Sequence, residues 1–314
     1  MQLMCPVSSI AAAKMFAKIG VGEIYVGVDC NDLGLNNVTF TGRTRVLCSG
    51  ESVQLSDFSE LKEVVDICHS KNIKVNFTAN VRNLPEALID EYIQYVEKGI
   101  HAGVDAVIVG SIVALIALKD RYDIQLHSST FFYPFNKYNV DFFHFFDIKR
   151  IILPTALSLV EIKQIVDYIA EKNYDMEVEV FGHFGCSNIN GRCNIFNNPP
   201  SICRGQFQVY DKSKNNIKSS VNIIDAGKDC TICSLKELND IGITSLKIMG
   251  RGLSLQLVGT LASLYQEALY HLSNGMETSE IRSKLLERAN WWENSYCNDN
   301  RCMYLDTETS KYYV

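Results

Sequence analysis

The chain has 314 residues, 47% of them hydrophobic, and a formal net charge of −6. That length suits two ordinary domains or one barrel-sized domain, with enough apolar material for a large core. The acidic balance, without any long basic run, excludes general attraction to nucleic acid or anionic lipid, and no apolar run is long enough to span a membrane.

The opening MQLMCPVSSIAAAKMF lacks the basic residues of a secretory signal. Eleven cysteines, an odd number, then predict reduced thiols and a cytoplasmic location. Leu3–Pro6 reads as a first strand, Ser8 as the cap of a helix over Ile10–Ile19, and Glu23–Val28 (EIYVGV) as a second strand. Residues 30–56, rich in Asn, Gly, Ser and Thr, read as a long loop. Apolar spacing at Phe58, Leu61, Val64, Val65 and Cys68 predicts a helix over Asp57–Ser70. Lys74–Thr78 is the third strand, and Pro85 opens a helix reaching Gly99. The fourth strand is Asp105–Val109, followed by Ser111 and an apolar helix to Leu118. Ile124–His127 is the fifth strand, and a helix from Asn139 to Phe146 leads to the sixth, Arg150–Leu153. Ser158 caps a helix through Glu171, and Met176–Phe181 is the seventh strand. A helix over Ser234–Ile241, the eighth strand Ser245–Met249 and a closing helix over Leu255–Asn274 complete the alternation.

Eight strands mostly followed by helices predict a parallel sheet, and the length matches one (β/α)8 barrel over residues 1–275. A doubly wound open sheet fits the same alternation, but no G-x-G-x-x-G follows the first strand. In a barrel, Ser8, Asn80, His127, Thr155, His183 and Arg251 would share the mouth.

Between the seventh and eighth strands, residues 182–234 hold Cys186, Cys193, Cys203, Cys230 and Cys233, spaced C-x6-C-x9-C-x26-C-x2-C. Five glycines and the Pro199-Pro200 pair argue for a folded loop rather than regular structure. Thiolates gathered on a loop suit zinc or an iron–sulfur cluster, whereas isolated buried thiols are the plainer account. His127 and His183 end strands where substrate contacts belong, or cap backbone groups. Arg251, Arg192, Arg43 and Arg45 can grip a carboxylate through a planar fork, or satisfy loop carbonyls. Glu179 alternates with apolar neighbours, which suits an inward acid/base group or an ion pair with Lys247. Cys5, Cys30, Cys48 and Cys68 are too widely spread to suggest a site, and the run Phe142-Phe143-His144-Phe145-Phe146 reads as packing.

Glu179-Val-Phe-Gly-His183, followed by Cys186-x6-Cys193 within Asn190-Gly191-Arg192-Cys193, resembles the signature of the collagenase-like peptidases, family thirty-two of the peptidases of unknown catalytic type. The likeness extends to LMCPVSSIAAAKMFAKIGVGEIYVGV, IQLHSSTFFYPFN, RIILPTALSLVEIKQI and LKELNDIGITSLKIMGR. It implies a barrel carrying a 4Fe-4S cluster on Cys186, Cys193, Cys203 and Cys230, with Cys233 competing for the last place and zinc as the alternative metal. Several members of that family resemble oxygen-independent hydroxylases of ubiquinone precursors or RNA bases, with prephenate as oxygen donor. The resemblance thus implies cluster-dependent hydroxylation or redox modification of a small molecule, RNA or peptide. Their positions at the predicted strand ends and in the strand pattern make His127, His183, Arg251 and Glu179 the candidate catalytic residues, and the resemblance makes a heterodimer with a related barrel subunit plausible. A peptidase, or a non-catalytic cluster-binding subunit, is the competing reading, although the chain has no H-E-x-x-H and no G-x-S-x-G.

Residues 276–314 form a separate tail: an amphipathic helix over Glu277–Asn290, then both tryptophans and the C-x4-C pair Cys297/Cys302. Aromatics at a polar terminus predict docking on the barrel or on a partner. A second metal site on Cys297 and Cys302 is conceivable only with further ligands, because two alone are insufficient.

Overall fold

The computed structural model describes residues 1–35, 38–41, 53–183, 207–211, 216–221, 229–297 and 302–304. Alternating segments form strands β1 (Gln2–Val7), β2 (Glu23–Val26), β3 (Lys74–Ala79), β4 (Ala106–Val109), β5 (Gln125–Ser128), β6 (Ile148–Ile152) and β7 (Glu177–His183). A separate antiparallel ribbon, β8 (Phe207–Asp211) and β9 (Asn216–Val221), precedes β10 (Ser245–Ile248). The parallel strands close in the order β1-β10-β7-β6-β5-β4-β3-β2, so the sheet is a barrel rather than an open doubly wound sheet. Leu3 pairs with Leu246 on one side of the closure, and Leu246 with Val180 on the other.

Helices α1 (Ile10–Ile19), α2 (Phe58–His69), α3 (Ile89–His101), α4 (Ile112–Leu118), α5 (Tyr138–Phe145), α6 (Leu159–Glu171), α7 (Leu235–Ile241) and α8 (Leu255–Ser273) follow the strands. Local chemistry sets their ends. Ser9, not Ser8, caps α1 by accepting from Ala12 N, and Gly20 ends it at φ 79°, a left-handed conformation that favours glycine. Ser158 and Glu161 form a reciprocal capping box on α6. Pro85 does not open α3 directly, because a 3-10 turn over Glu86–Leu88 comes first.

The ribbon corrects the expectation that residues 182–234 lack regular structure. Phe207, Val209, Tyr210 and Ile217 are strand formers, and across these short runs they outweigh the surrounding glycines. Beyond the barrel, α9 (Thr278–Arg288) and α10 (Asn290–Tyr296) fold back onto it. Ile281, Leu285, Trp292, Met303 and Tyr304 all belong to the buried core, so the tail docks on its own barrel. Of the aromatic run, Phe143 and Phe146 are buried while Phe145 is 66% exposed. Among the described residues no helix is long and apolar enough to cross a membrane.

Candidate functional site

The barrel interior carries charge where apolar layers are usual. Glu23, Asn76, His127, Arg150, Glu179 and Lys247 are all buried, and they join into one network. Arg150 donates to Glu23 from Nη1 at 2.5 Å and from Nη2 at 2.8 Å, to Glu177 from Nε at 2.7 Å, and to Glu179 from Nη1 at 3.2 Å. Asn76 Nδ2 donates to Glu23 at 3.1 Å. Lys247 Nζ donates to Glu179 Oε1 at 3.0 Å and lies 4.3 Å from the centre of the Tyr25 ring. Both Glu179 oxygens therefore serve ion pairs. Each carboxylate has a cation at contact distance, which is the condition under which buried charge is tolerated. On the N-terminal face this network borders a cavity lined by Lys74, Arg150, Glu177 and Thr244.

At the other end, Arg251 Nη1 donates to Gln54 Oε1 at 2.8 Å and to Thr78 Oγ1 at 3.2 Å, with its guanidinium 5.6 Å from the Tyr25 ring centre. Gln54 donates to Thr41 Oγ1 at 2.7 Å, and Thr78 to Val26 O at 2.9 Å. Gly27 permits this arrangement. A Cβ there would lie 2.3 Å from Gln54 Oε1 and 2.6 Å from Thr78 Oγ1. Gln54 and Thr78 thus help to hold a planar cation at the barrel mouth, and a guanidinium fork suits a carboxylate.

His127, at the end of β5, is 2% exposed, and neither ring nitrogen has a partner in the structure. Burial lowers its pKa well below the ordinary value, and Arg150, Lys247 and Lys74 push it the same way. The ring is therefore neutral, with one nitrogen a donor and the other an acceptor.

His183 faces elsewhere. Its Nδ1 lies 3.0 Å from Tyr265 Oη on α8, and that hydroxyl also contacts Gly182 O at 2.6 Å and Cys230 Sγ at 3.4 Å. Thr231 N donates to the same hydroxyl at 3.2 Å. His183 and Cys230 thus share one tyrosine under the helix, while His127 belongs to the interior network. Burial pushes the Cys230 thiol up to about 11, partly offset by the hydrogen bond from Tyr265 and by the Ile232 backbone. Cys186, Cys193, Cys203 and Arg192 lie outside the described residues, as do Arg43 and Arg45.

Cys230 has neighbours that spacing alone does not reveal. Cys302 pairs with it as an isolated parallel bridge, and Met303 N donates to Cys230 O at 2.7 Å. Ser234 Oγ donates to Met303 O at 2.8 Å, and Tyr304 Oη accepts from Phe181 N at 3.2 Å. The nearby Cys302 thiol and the Arg282 guanidinium bring the Cys233 thiol down to about 7 against the opposing effect of burial. Arg282 also donates to Cys297 Sγ at 3.4 Å.

Sequence reasoning passed over Glu23, Arg150, Gln54, Tyr25 and Tyr265. A charge inside EIYVGV and another inside KRIIL were visible signals for the first two, whereas Gln54 stands at the end of the long loop with no pattern around it.

The family model of peptidase family U32 matches residues 8–308. The chain is 27% identical over 313 residues to the tRNA hydroxylation protein P of Helicobacter pylori, covering 90% of this chain and 68% of that one. It is 21% identical over 328 residues to the tRNA hydroxylation protein P1 of Bacillus subtilis, covering 98% and 70%. An uncharacterized protease of Methanocaldococcus jannaschii is 24% identical over 312 residues, covering 94% and 71%.

Proposed function

The chain belongs to peptidase family U32, and from that premise we propose that it is a cluster-dependent hydroxylation enzyme rather than a hydrolase. The observation that carries this reading is the setting of Cys230, a buried thiol that accepts a hydrogen bond from Tyr265 Oη at its sulfur and is bridged to His183 at the end of β7. Hydrogen bonds aimed at a sulfur are a recognised means of tuning a thiolate-bound cluster. The donor chemistry at this position therefore fits a 4Fe-4S cluster. Cys186, Cys193, Cys203 and Cys230 would hold it, with Cys233 as the nearby substitute for the last, and when bound it would supply one-electron transfer.

The remaining work falls to this chain's own side chains. Arg251, positioned by Gln54 and Thr78, would orient a carboxylate-bearing oxygen donor of the prephenate class at the mouth. Neutral His127 would offer a nitrogen to a substrate oxygen without bringing further positive charge beside Arg150 and Lys247. Glu179, engaged on both oxygens, would serve to hold Lys247 in place. The relatives named for tRNA hydroxylation support RNA as the acceptor. A related barrel subunit could supply basic surface to offset this chain's net charge of −6.

Anaerobic purification followed by iron and sulfide analysis tests the cofactor, with about four of each per chain expected. Incubation with prephenate and unmodified tRNA, read by nucleoside mass spectrometry, tests the activity. Stoichiometric zinc without sulfide, or peptide hydrolysis lost in a Cys230→Ala variant, would overturn the reading.

A further inference from the structure

We propose that Phe131, Arg82, Tyr133 and Phe135 form a stacking ladder on the rim of the barrel mouth that takes an unpaired base of single-stranded RNA. The inference rests on the reading of RNA as the acceptor and gives that site its base-binding surface.

The ladder is built on the segments that follow β3 and β5. β4 is followed by Gly110, where a Cβ would lie 2.4 Å from Asn80 O and 2.7 Å from Asn80 C. With no side chain there, the segment after β3 crosses the end of β4 and meets the segment after β5, where Asn80 Nδ2 donates to Ser129 Oγ at 3.3 Å. Thr78, which accepts from Arg251, stands two residues before Asn80. The same segment therefore runs from the carboxylate grip outward to the rim.

There Arg82 Nη2 donates to Tyr133 Oη at 2.5 Å, and its Cζ lies 5.1 Å from the Phe131 ring centre. Tyr133 stacks on Phe135, with ring centres 5.7 Å and planes 14° apart. Phe135 ends the series and is 41% exposed. RNA bases splayed out of a helix rest on such aromatic and guanidinium planes, and every base offers a face to them. The backbone is held for this arrangement. Tyr133 has φ 52°, in the left-handed region that is costly for a bulky residue, and its N–H donates to Thr130 O at 3.1 Å. Phe135 N donates to Asn139 Oδ1 at 3.0 Å. Backbone held in that region, where glycine would be relaxed, is typical of working surfaces. A latch between the two segments would need the Arg82 bond alone, and not two parallel rings with the outer one in water. Lys137, exposed two residues after Phe135, is placed for an adjoining phosphate.

The test is equilibrium binding, at low salt, of a short single-stranded oligoribonucleotide carrying a fluorescent purine analogue, beside tRNA turnover with prephenate. The wild type is expected to bind it and quench the analogue. Phe135→Ala should bind about 5- to 100-fold more weakly and lose the quenching, with the loss in turnover falling on KM rather than kcat. Phe135→Trp should restore both. Phe145→Ala, which removes an exposed phenylalanine at the far end of α5, should match the wild type. Melting curves of all variants should coincide within a few degrees. Unaltered binding in Phe135→Ala would overturn the proposal, as would an equal loss in Phe145→Ala or no RNA binding by the wild type. Quenching that depends on Phe135 without any hydroxylated tRNA would sink the hydroxylation reading and leave the stacking site standing. Hydroxylation with an unchanged KM in Phe135→Ala would do the reverse.

Discussion

Replacing Arg150 by methionine removes the cation at the centre of the interior network while keeping most of the side chain's volume. Glu23 then loses both of its guanidinium bonds, at 2.5 and 2.8 Å, and keeps the Asn76 amide at 3.1 Å. Glu179 loses a weaker contact at 3.2 Å but retains Lys247 at 3.0 Å. Glu177, half exposed, can be rehydrated and contributes little. The cost therefore falls on Glu23, 2% exposed, and is that of a buried charge left without its partner, about 3–5 kcal/mol. Glu23→Gln combined with Arg150→Met discharges the stranded group, so the double variant should recover at least ~1 kcal/mol relative to Arg150→Met alone. Urea unfolding followed by circular dichroism, with all variants at one pH, measures both quantities. A single-variant loss below ~1 kcal/mol, or a double-variant loss equal to the sum of the two singles, would refute the reasoning.

Gly27→Ala should abolish activity while leaving the unfolding midpoint within a few degrees, because its Cβ displaces Gln54 and Thr78, the pair that positions Arg251; steady-state turnover beside a melting curve checks this. His127 should contribute a pH-dependent loss of stability. Its folded pKa lies below the ordinary 6.5, so the unfolded chain binds the extra proton and stability falls as pH drops below about 6.5. Urea midpoints between pH 7 and 5 should decline less in His127→Gln than in the wild type. Tyr304→Phe leaves the buried Phe181 N–H without its acceptor and should cost about 1–3 kcal/mol, read by the same unfolding assay.

Strand and helix positions were legible because each strand is a short apolar run and each helix has a periodic apolar face. EIYV of the expected Glu23–Val28, EVEVF of the expected Met176–Phe181 and SLKI of the expected Ser245–Met249 all lie in barrel strands. Closure was not legible in periodicity, since it depends on β10 meeting β1 and β7 across most of the chain. Ser8 and Ser9 are equivalent as cap formers, and only the backbone geometry distinguishes Ser9. Arg251 was visible at the end of a strand, but Gln54 and Gly27, which hold and admit it, carry no local pattern. Tyr265, the hydroxyl joining His183 to Cys230, reads in sequence as one more apolar position on α8. Cys302 reads in sequence as half of a pair too few for a site, because its pairing with Cys230 is a long-range contact that spacing cannot express.

The docking of residues 302–304 onto Cys230 and Phe181 also orders events in time. Phe181 and Tyr304 are separated by 123 positions, so at roughly 5–20 residues per second a ribosome needs about 6–25 s between making the acceptor surface and making its cover. Once Cys230 and Tyr265 have been made, β7 and its tyrosine-linked thiol stand open to the surrounding solution for the remainder of that interval. Whatever must reach Cys230, a metal carrier or an adventitious oxidant, has its easiest access on the nascent chain. Slow codons or pauses in the stretch encoding α8 to α10 would lengthen that opening without changing a single residue of the finished protein.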